Sequence, residues 1–339
     1  MRSLALMADE FQFWMGGLLA TQLEEISDDP KRIDEGGFWA ALISFEGTYT
    51  FARFGKVERS EFPPCEWSPL SQSWSSSLRR EDYLDYVSKI KEIIAAGGVY
   101  QVNACRQLSN SMNIESRGLA GLFSQLLKSN PAPYASYLNI PGCEVASASP
   151  ELFLSRIGNA IKTSPIKGTL HEGASQFGDK DQAENLMIVD LMRNDLGRIC
   201  EAGSVEVSEL FRHEKHPGLV HLVSDVEGTL RSDISWSEIL SAATPPGSVS
   251  GAPKSAAVSI IDEFEGERGP YCGALGWIEG SRALLSVGIR PFWRLTDSTI
   301  RFGTGAGITW GSDPVLEWEE TQLKARKLIS IAGGSLDDH

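Results

Sequence analysis

Apolar positions along this chain follow two different periods. From Asp82 to Ala96 they fall on Tyr83, Val87, Ile90 and Ile94, one helical stripe, and Gly97-Gly98 ends it. Gly118 to Asn130 repeats the stripe with Leu119, Leu122, Phe123, Leu126 and Leu127, and Pro131 stands just beyond. Trp236 to Ala243 predicts a short helix, and Pro253 opens another that reaches Phe264, because Pro suits a first helical turn. The last helix starts at Asp313-Pro314 and runs to Ile331. After Asp181 the pattern changes. Leu186, Met187, Ile188, Val189, Leu191 and Met192 make the helix apolar nearly all round, which predicts burial, and Gly197 stops it.

The second period is two. Val99 to Leu108 alternates, with Gln101, Asn103 and Cys105 on one side and Val102, Ala104 and Leu108 on the other. Strands are also predicted over Phe38 to Phe45, Thr48 to Val57, Leu219 to Leu230, Tyr271 to Glu279, Ala283 to Arg290 and Phe292 to Phe302. Val145 to Ser149 and Glu151 to Ile157 are strands separated by Pro150, which cannot donate to a ladder. Gly158-Asn159 then turns the chain into Ala160 to Thr163, a hairpin that could bring Glu151 near Lys167. Residues 60–77, rich in Ser and Pro, predict a loop or linker. Gly303 to Gly307 follows a strand but lacks dinucleotide-fingerprint spacing; its N–H groups could still cradle a carboxylate.

Composition narrows the partners. The 339 residues can bury a substantial core as one large domain or two. A formal net charge of −14 argues against general affinity for nucleic acid or acidic membrane. The five cysteines are scattered with no metal spacing, so reduced thiols of a cytoplasmic protein are the expectation. No signal-peptide pattern opens the sequence, and no apolar run is long enough to span a bilayer.

Candidate chemistry concentrates between Val145 and Asp195. Glu151, Lys167 and the pair Asp181/Glu184 each stand among apolar neighbours, where charge is desolvated and its pKa perturbed. Asp181 and Glu184 are three apart on one helix and share a face. On the last helix Glu317, Glu320 and Lys324 share another. Oxygen-only donors of this kind suit Mg²⁺, which keeps waters and shares itself with an anionic substrate. Taken singly, each of these charges is an ordinary surface ion pair or a solvated helix face, and His221 on a strand is structural. Their grouping is what points to chemistry.

The grouping resembles the chorismate-utilising enzymes: anthranilate, aminodeoxychorismate, isochorismate and salicylate synthases. The motifs that carry it are Tyr100-Gln101-Val102-Asn103, Ser149-Pro150-Glu151, Pro165-Ile166-Lys167-Gly168-Thr169 and Ala183-Glu184-Asn185-Leu186-Met187. Beyond them come His221-Leu222-Val223-Ser224, Gly247-Ser248-Val249-Ser250-Gly251-Ala252-Pro253-Lys254, Tyr271-Cys272-Gly273, Gly305-Ala306-Gly307-Ile308 and the Glu317/Glu320/Lys324 helix. They span residues 80–330. The resemblance implies an α+β fold: two large, mostly antiparallel sheets packed as a sandwich with helices outside. Residues 78–333 form the catalytic domain, and 1–77 are N-terminal strands and linker of the same fold. One departure is Thr244-Pro245-Pro246-Gly247, where many relatives show Phe-Pro-Gly-Gly.

Within the family, the resemblance implies aminodeoxychorismate synthase component I, with anthranilate synthase component I as the alternative and a non-catalytic chorismate-binding relative behind it. Lys167 decides the order, since anthranilate synthases usually carry Ala there. Gln101 stands where relatives that add water carry Lys. The implied roles are Glu151 as general acid and Lys167 as nucleophile. Glu184 and Glu320 hold Mg²⁺, with Asp181 and Glu317 acting through waters. Tyr271, Arg290, Gly305 and Gly307 take the enolpyruvyl carboxylate. Gln101, Gly168, Thr169, His221, Ser250 and Lys324 line the pocket. No Cys here sits in a glutaminase nucleophile motif, so a separate glutamine amidotransferase subunit is the expected source of ammonia.

Overall fold

The computed structural model describes residues 11–112, 118–171, 177–216 and 219–336. Its strands form one continuous hydrogen-bonded network. From one edge the order is Gly333–Leu336, Leu70–Ser76, Gln101–Ser111, Thr299–Ile308, Pro291–Arg294, Cys143–Ser147, Ser136–Ile140 and Gln12–Met15. It continues through Leu18–Ser27, Tyr49–Arg59, Phe38–Ile43, Ala274–Glu279, Arg282–Val287 and Leu152–Ile157. Ala160–Ser164 and Ile166–His171 come next, followed by Leu219–Thr229 and Glu206–His216. Every pairing but the first is antiparallel. Antiparallel neighbours need only short connections, so consecutive strands pair repeatedly.

Strands far apart in this order lie against each other: Val102 and Ala104 of Gln101–Ser111 belong to the same apolar cluster as Ala40, Leu275 and Val287. The fold is therefore α+β, a sandwich, as expected. The two layers are not separate sheets, however: Gln12–Met15 pairs on one side with Ser136–Ile140 and on the other with Leu18–Ser27, and so joins them. Both faces of Gln101–Ser111 are buried over most of its length, which is why its alternation is only partial. Helix Pro314–Ala332 packs on Thr299–Ile308, and helix Asp179–Gly197 packs on Leu219–Thr229.

Several expectations are corrected. Residues 60–77 are not a free linker: Leu70–Ser76 is a strand, and Trp74 is fully buried with its Nε1 donating to the Gly333 carbonyl. Its Ser-rich exposed positions hid the one side chain that anchors it. Phe292 to Phe302 is two strands, Pro291–Arg294 and Thr299–Ile308, folded at Thr296-Asp297-Ser298. Gly303 to Gly307 continues the strand rather than following it. These glycines sit inside Thr299–Ile308, with Gly305 opposite Cys105 and Gly307 opposite Asn103. Helix Asp179–Gly197 is not buried all round, since Leu186 is 52% exposed. The strands Gln12–Met15, Leu18–Ser27, Ser136–Ile140 and Glu206–His216 had no clear alternation to announce them.

Candidate active site

Glu151 is fixed through its backbone. Pro150 interrupts the ladder, and Ser149, fully buried, donates its Oγ to the Val287 carbonyl at 2.7 Å. The Val287 N–H then donates to the Glu151 carbonyl at 3.0 Å. The Glu151 carboxyl ends up 3% exposed, and its Oε1 has no hydrogen-bond partner among the described residues. Burial pushes its pKa up to about 7, against the opposing pull of the Ser248 side chain, Lys167, the Ile166 N–H and Arg290. A carboxyl near that value can hold and release a proton close to neutrality.

Lys167 is presented by a bulge. Ile166 pairs with Val223 and Thr169 with His221, so Lys167 and Gly168 together face one residue, Leu222. The extra residue re-aims the lysine side chain inward. Gly168 makes this possible: its φ is +80°, and a Cβ there would stand 3.0 Å from the Asp181 side chain. The Lys167 Nζ donates to the Ser248 carbonyl at 2.9 Å. Burial lowers its pKa, and Glu184, Glu151 and Glu320 oppose that shift while Lys324 adds to it.

The helices supply the carboxylates. Asp181 lies in the first turn of Asp179–Gly197 and accepts the Gly178 N–H at 3.1 Å; Glu184 lies one turn on. Asn185, fully buried, ties this helix down, donating to the Leu222 carbonyl at 3.3 Å and accepting from Ser224 Oγ at 2.5 Å. On Pro314–Ala332, Glu320 pairs with Lys324 at 2.6 Å, and Lys324 also donates to the Gly305 carbonyl at 3.1 Å. Glu317 diverges from that pair, being 4% exposed where Glu320 and Lys324 are half-exposed. Among the described residues no three His, Cys, Asp or Glu side chains converge on a metal position. The carboxylates of Glu184 and Glu320 are hard oxygen donors of the type that suits Mg²⁺, an ion usually completed by water and substrate rather than by an all-protein cage.

Gln101 is 1% exposed, and its Oε1 also lacks a partner among the described residues. It lies against Gly307, where a Cβ would come within 2.4 Å of the Gln101 Nε2 and 3.7 Å of the Lys167 Nζ. Arg290 adopts a left-handed φ of +57°, and burial lowers its guanidinium pKa while Glu151 opposes the shift. Ser250, fully buried, folds back to the Pro246 and Gly247 carbonyls at 3.2 and 3.4 Å. His221 is buried in strand Leu219–Thr229 between Thr169 and Glu214. The Thr169 side chain lies outside the described ones.

Tyr271 is buried. Its ring lies on Gly303, where a Cβ would come within 2.0 Å, and Cys105 Sγ is 3.7 Å from its hydroxyl. Burial holds its pKa well above the usual phenol value, so the hydroxyl keeps its proton. Sequence reasoning missed Ser248, whose carbonyl accepts from the Lys167 Nζ, and whose side chain, like the Ile166 N–H, pulls the Glu151 pKa down. Ser248 stood in a motif already noted for Ser250, but nothing in spacing distinguishes one serine from the other.

The buried Glu151 carboxyl and the half-buried Lys167 amine, each with a perturbed pKa, are groups of the kind that acid–base and nucleophilic chemistry uses. The chain belongs to the family of chorismate binding enzymes, whose model matches residues 41–330. It is 37% identical over 289 residues to anthranilate synthase component 1 1 of Haloarcula marismortui, covering 81% of this chain and 58% of that one. It is 36% identical over 291 residues to aminodeoxychorismate synthase component 1 of Escherichia coli, covering 82% and 63%. The chain thus spans about three-fifths of the length of these curated relatives. Among solved structures, the menaquinone-specific isochorismate synthase of Escherichia coli superposes with a TM-score of 0.81 at 17% identity, covering 98% of this chain and 92% of that one. That likeness extends to the fold.

Proposed function

We propose that the chain is the chorismate-converting component of an aminodeoxychorismate synthase, making 4-amino-4-deoxychorismate from chorismate and ammonia. The observation that carries this reading is Lys167, an amine aimed inward by a bulge beside a buried carboxyl. Relatives at 37% and 36% identity bear both activities in their names, so overall similarity does not choose between them.

In the proposed reaction the neutral Lys167 amine attacks C2 of the ring. The two ring double bonds shift towards C4, and the C4 hydroxyl leaves as water with the proton of Glu151. Ammonia then attacks C4, the double bonds return, and the Lys167 nitrogen is expelled from C2. Depressed basicity at Lys167 supplies the free amine, and raised basicity at Glu151 supplies the proton. Arg290 suits the enolpyruvyl carboxylate as a bidentate donor. Glu184 and Glu320 would hold Mg²⁺, with Asp181 and Glu317 through waters, and the ion would neutralise the ring carboxylate. Ammonia would come from a separate glutamine amidotransferase subunit.

Product identification from the purified chain with chorismate, Mg²⁺ and ammonium tests this. Aminodeoxychorismate as the main product is expected; anthranilate or isochorismate overturns the reading. Release of glutamate from glutamine by this chain alone overturns the partner.

A further inference from the structure

Arg268 and Glu265 form an ion pair cut off from solvent, their side chains 1% and 6% exposed. The Arg268 Nε donates to Glu265 Oε2 and its Nη2 to Glu265 Oε1, both at 2.8 Å. Two further bonds leave the pair. Nη1 donates to the Val249 carbonyl at 3.1 Å, and Nη2 donates to the Asn103 carbonyl at 2.6 Å. Val249 ends the tight turn Gly247–Val249, and the Ser248 carbonyl of that turn accepts from the Lys167 Nζ at 2.9 Å. Asn103 lies on Gln101–Ser111, the strand that carries Gln101. The two segments also meet through their backbones. The Asn103 N–H donates to the Ser250 carbonyl at 2.9 Å, and Gln101 pairs in register with Ala252. Glu265 extends the tie, accepting the Cys105 N–H at 2.8 Å and the Tyr86 hydroxyl at 3.0 Å.

Burying an ion pair is costly, and an apolar pair of similar volume often serves stability as well. An apolar pair cannot hold two carbonyls at a fixed spacing, a task that suits the flat, rigid fork of a guanidinium. We propose that Arg268 is a positioning residue that clamps the turn Gly247–Val249 onto strand Gln101–Ser111, and so fixes the carbonyl on which the Lys167 amine rests. The inference rests on the nucleophile's role given above to Lys167. The bonds of Arg268 go to Glu265 and to backbone, so it acts through the Ser248 carbonyl and not on the substrate. An error of about 1 Å in the placement of the amine costs on the order of a hundredfold in rate.

Arg268→Lys keeps a cation beside Glu265 but replaces the fork with a single ammonium that cannot hold both carbonyls. Glu265→Gln combined with Arg268→Met removes both charges, leaves no buried ion unpaired, and keeps an acceptor for the Cys105 N–H and the Tyr86 hydroxyl. The experiment measures chorismate consumption with ammonium for both replacements, each made in the wild-type chain and in Lys167→Ala, with thermal unfolding of every protein. In the wild-type chain each replacement is expected to lower kcat by roughly ten- to a hundredfold, with KM for chorismate within about threefold. In Lys167→Ala no amine remains to be placed, and the same replacements should lower kcat by less than about threefold. Equal losses in the two backgrounds are what a general loosening of the fold produces, and they overturn the proposal, as does an unchanged kcat. A chain that folds with neither replacement makes the pair a determinant of the fold and overturns it too. A wild type that forms no aminodeoxychorismate, or a Lys167→Ala chain that keeps the full rate, overturns the proposed function instead.

Discussion

Gly307 and Gln101 are in contact across adjoining strands: a Cβ at 307 would stand 2.4 Å from the Gln101 Nε2. The same Cβ would be 3.7 Å from the Lys167 Nζ. The glycine therefore leaves room for the amide and the amine together. Gly307→Ala should displace Gln101 into the pocket and lower kcat/KM for chorismate by at least about tenfold, with a stability cost of about 1–3 kcal/mol from overpacking. Steady-state kinetics with ammonium, alongside urea unfolding, checks both; unchanged kinetics would show that the pocket lies elsewhere.

Glu151 links the site to the stability of the whole chain. Its pKa rises from 4.5 to about 7 on folding because the carboxyl is buried. The folded state therefore binds the proton more tightly. The associated stability is complete below pH 4.5, is lost as pH climbs through 7, and is constant above. Glu151→Gln cannot titrate and escapes this loss. Between pH 5 and pH 8 its stability should gain about 2 to 3 kcal/mol on the wild type, read by urea unfolding at both values. A constant gap would mean that the carboxyl ionises as if in water.

Much of this site could be read from residue order alone, for a physical reason. Pro150 and Pro165 mark where ladders break, and Gly168 marks a backbone that only glycine adopts comfortably, so the sequence around Glu151 and Lys167 carries its geometry locally. The helix pairs Asp181/Glu184 and Glu320/Lys324 were legible from helical spacing. What was hidden depended on distant partners. Ser248 acquires its place only when residues far apart in sequence fold around it. Trp74 is buried by Gly333 and Phe292, far along the chain. Gly303 to Gly307 was placed after a strand rather than in it, yet its glycines sit within the strand and leave room for Tyr271, Cys105 and Gln101. Local pattern reports local geometry and says little about which neighbour will need the space.

Lys324 gives a handle on the proposed ion. Its pair with Glu320 at 2.6 Å is about half exposed on both sides, so Lys324→Ala should change stability by no more than about 0.5 kcal/mol. The same change removes a cation beside Glu320 and should tighten Mg²⁺ several-fold in calorimetry, whereas Glu184→Gln and Glu320→Gln should weaken it. If Mg²⁺ binding ignores all three substitutions, the ion is held by other groups.

The covalent step gives the last prediction. Lys167 sits on a bulge whose other member, Gly168, leaves no space for a side chain beside Asp181. Strand geometry alone needs no such irregularity, and a lysine serving only as a surface charge gains nothing from being turned inward at the cost of desolvation. A nucleophile gains the free amine. Lys167→Ala should therefore slow aminodeoxychorismate formation by at least about a hundredfold and move the site towards direct addition, with anthranilate-type product appearing in its place. Intact-protein mass spectrometry of the wild type quenched during turnover without ammonia should show a chorismate adduct less one water, absent from Lys167→Ala. An unchanged rate, or the same adduct on the variant, would remove the lysine from the bond-forming step and leave Glu151 to act with some other nucleophile.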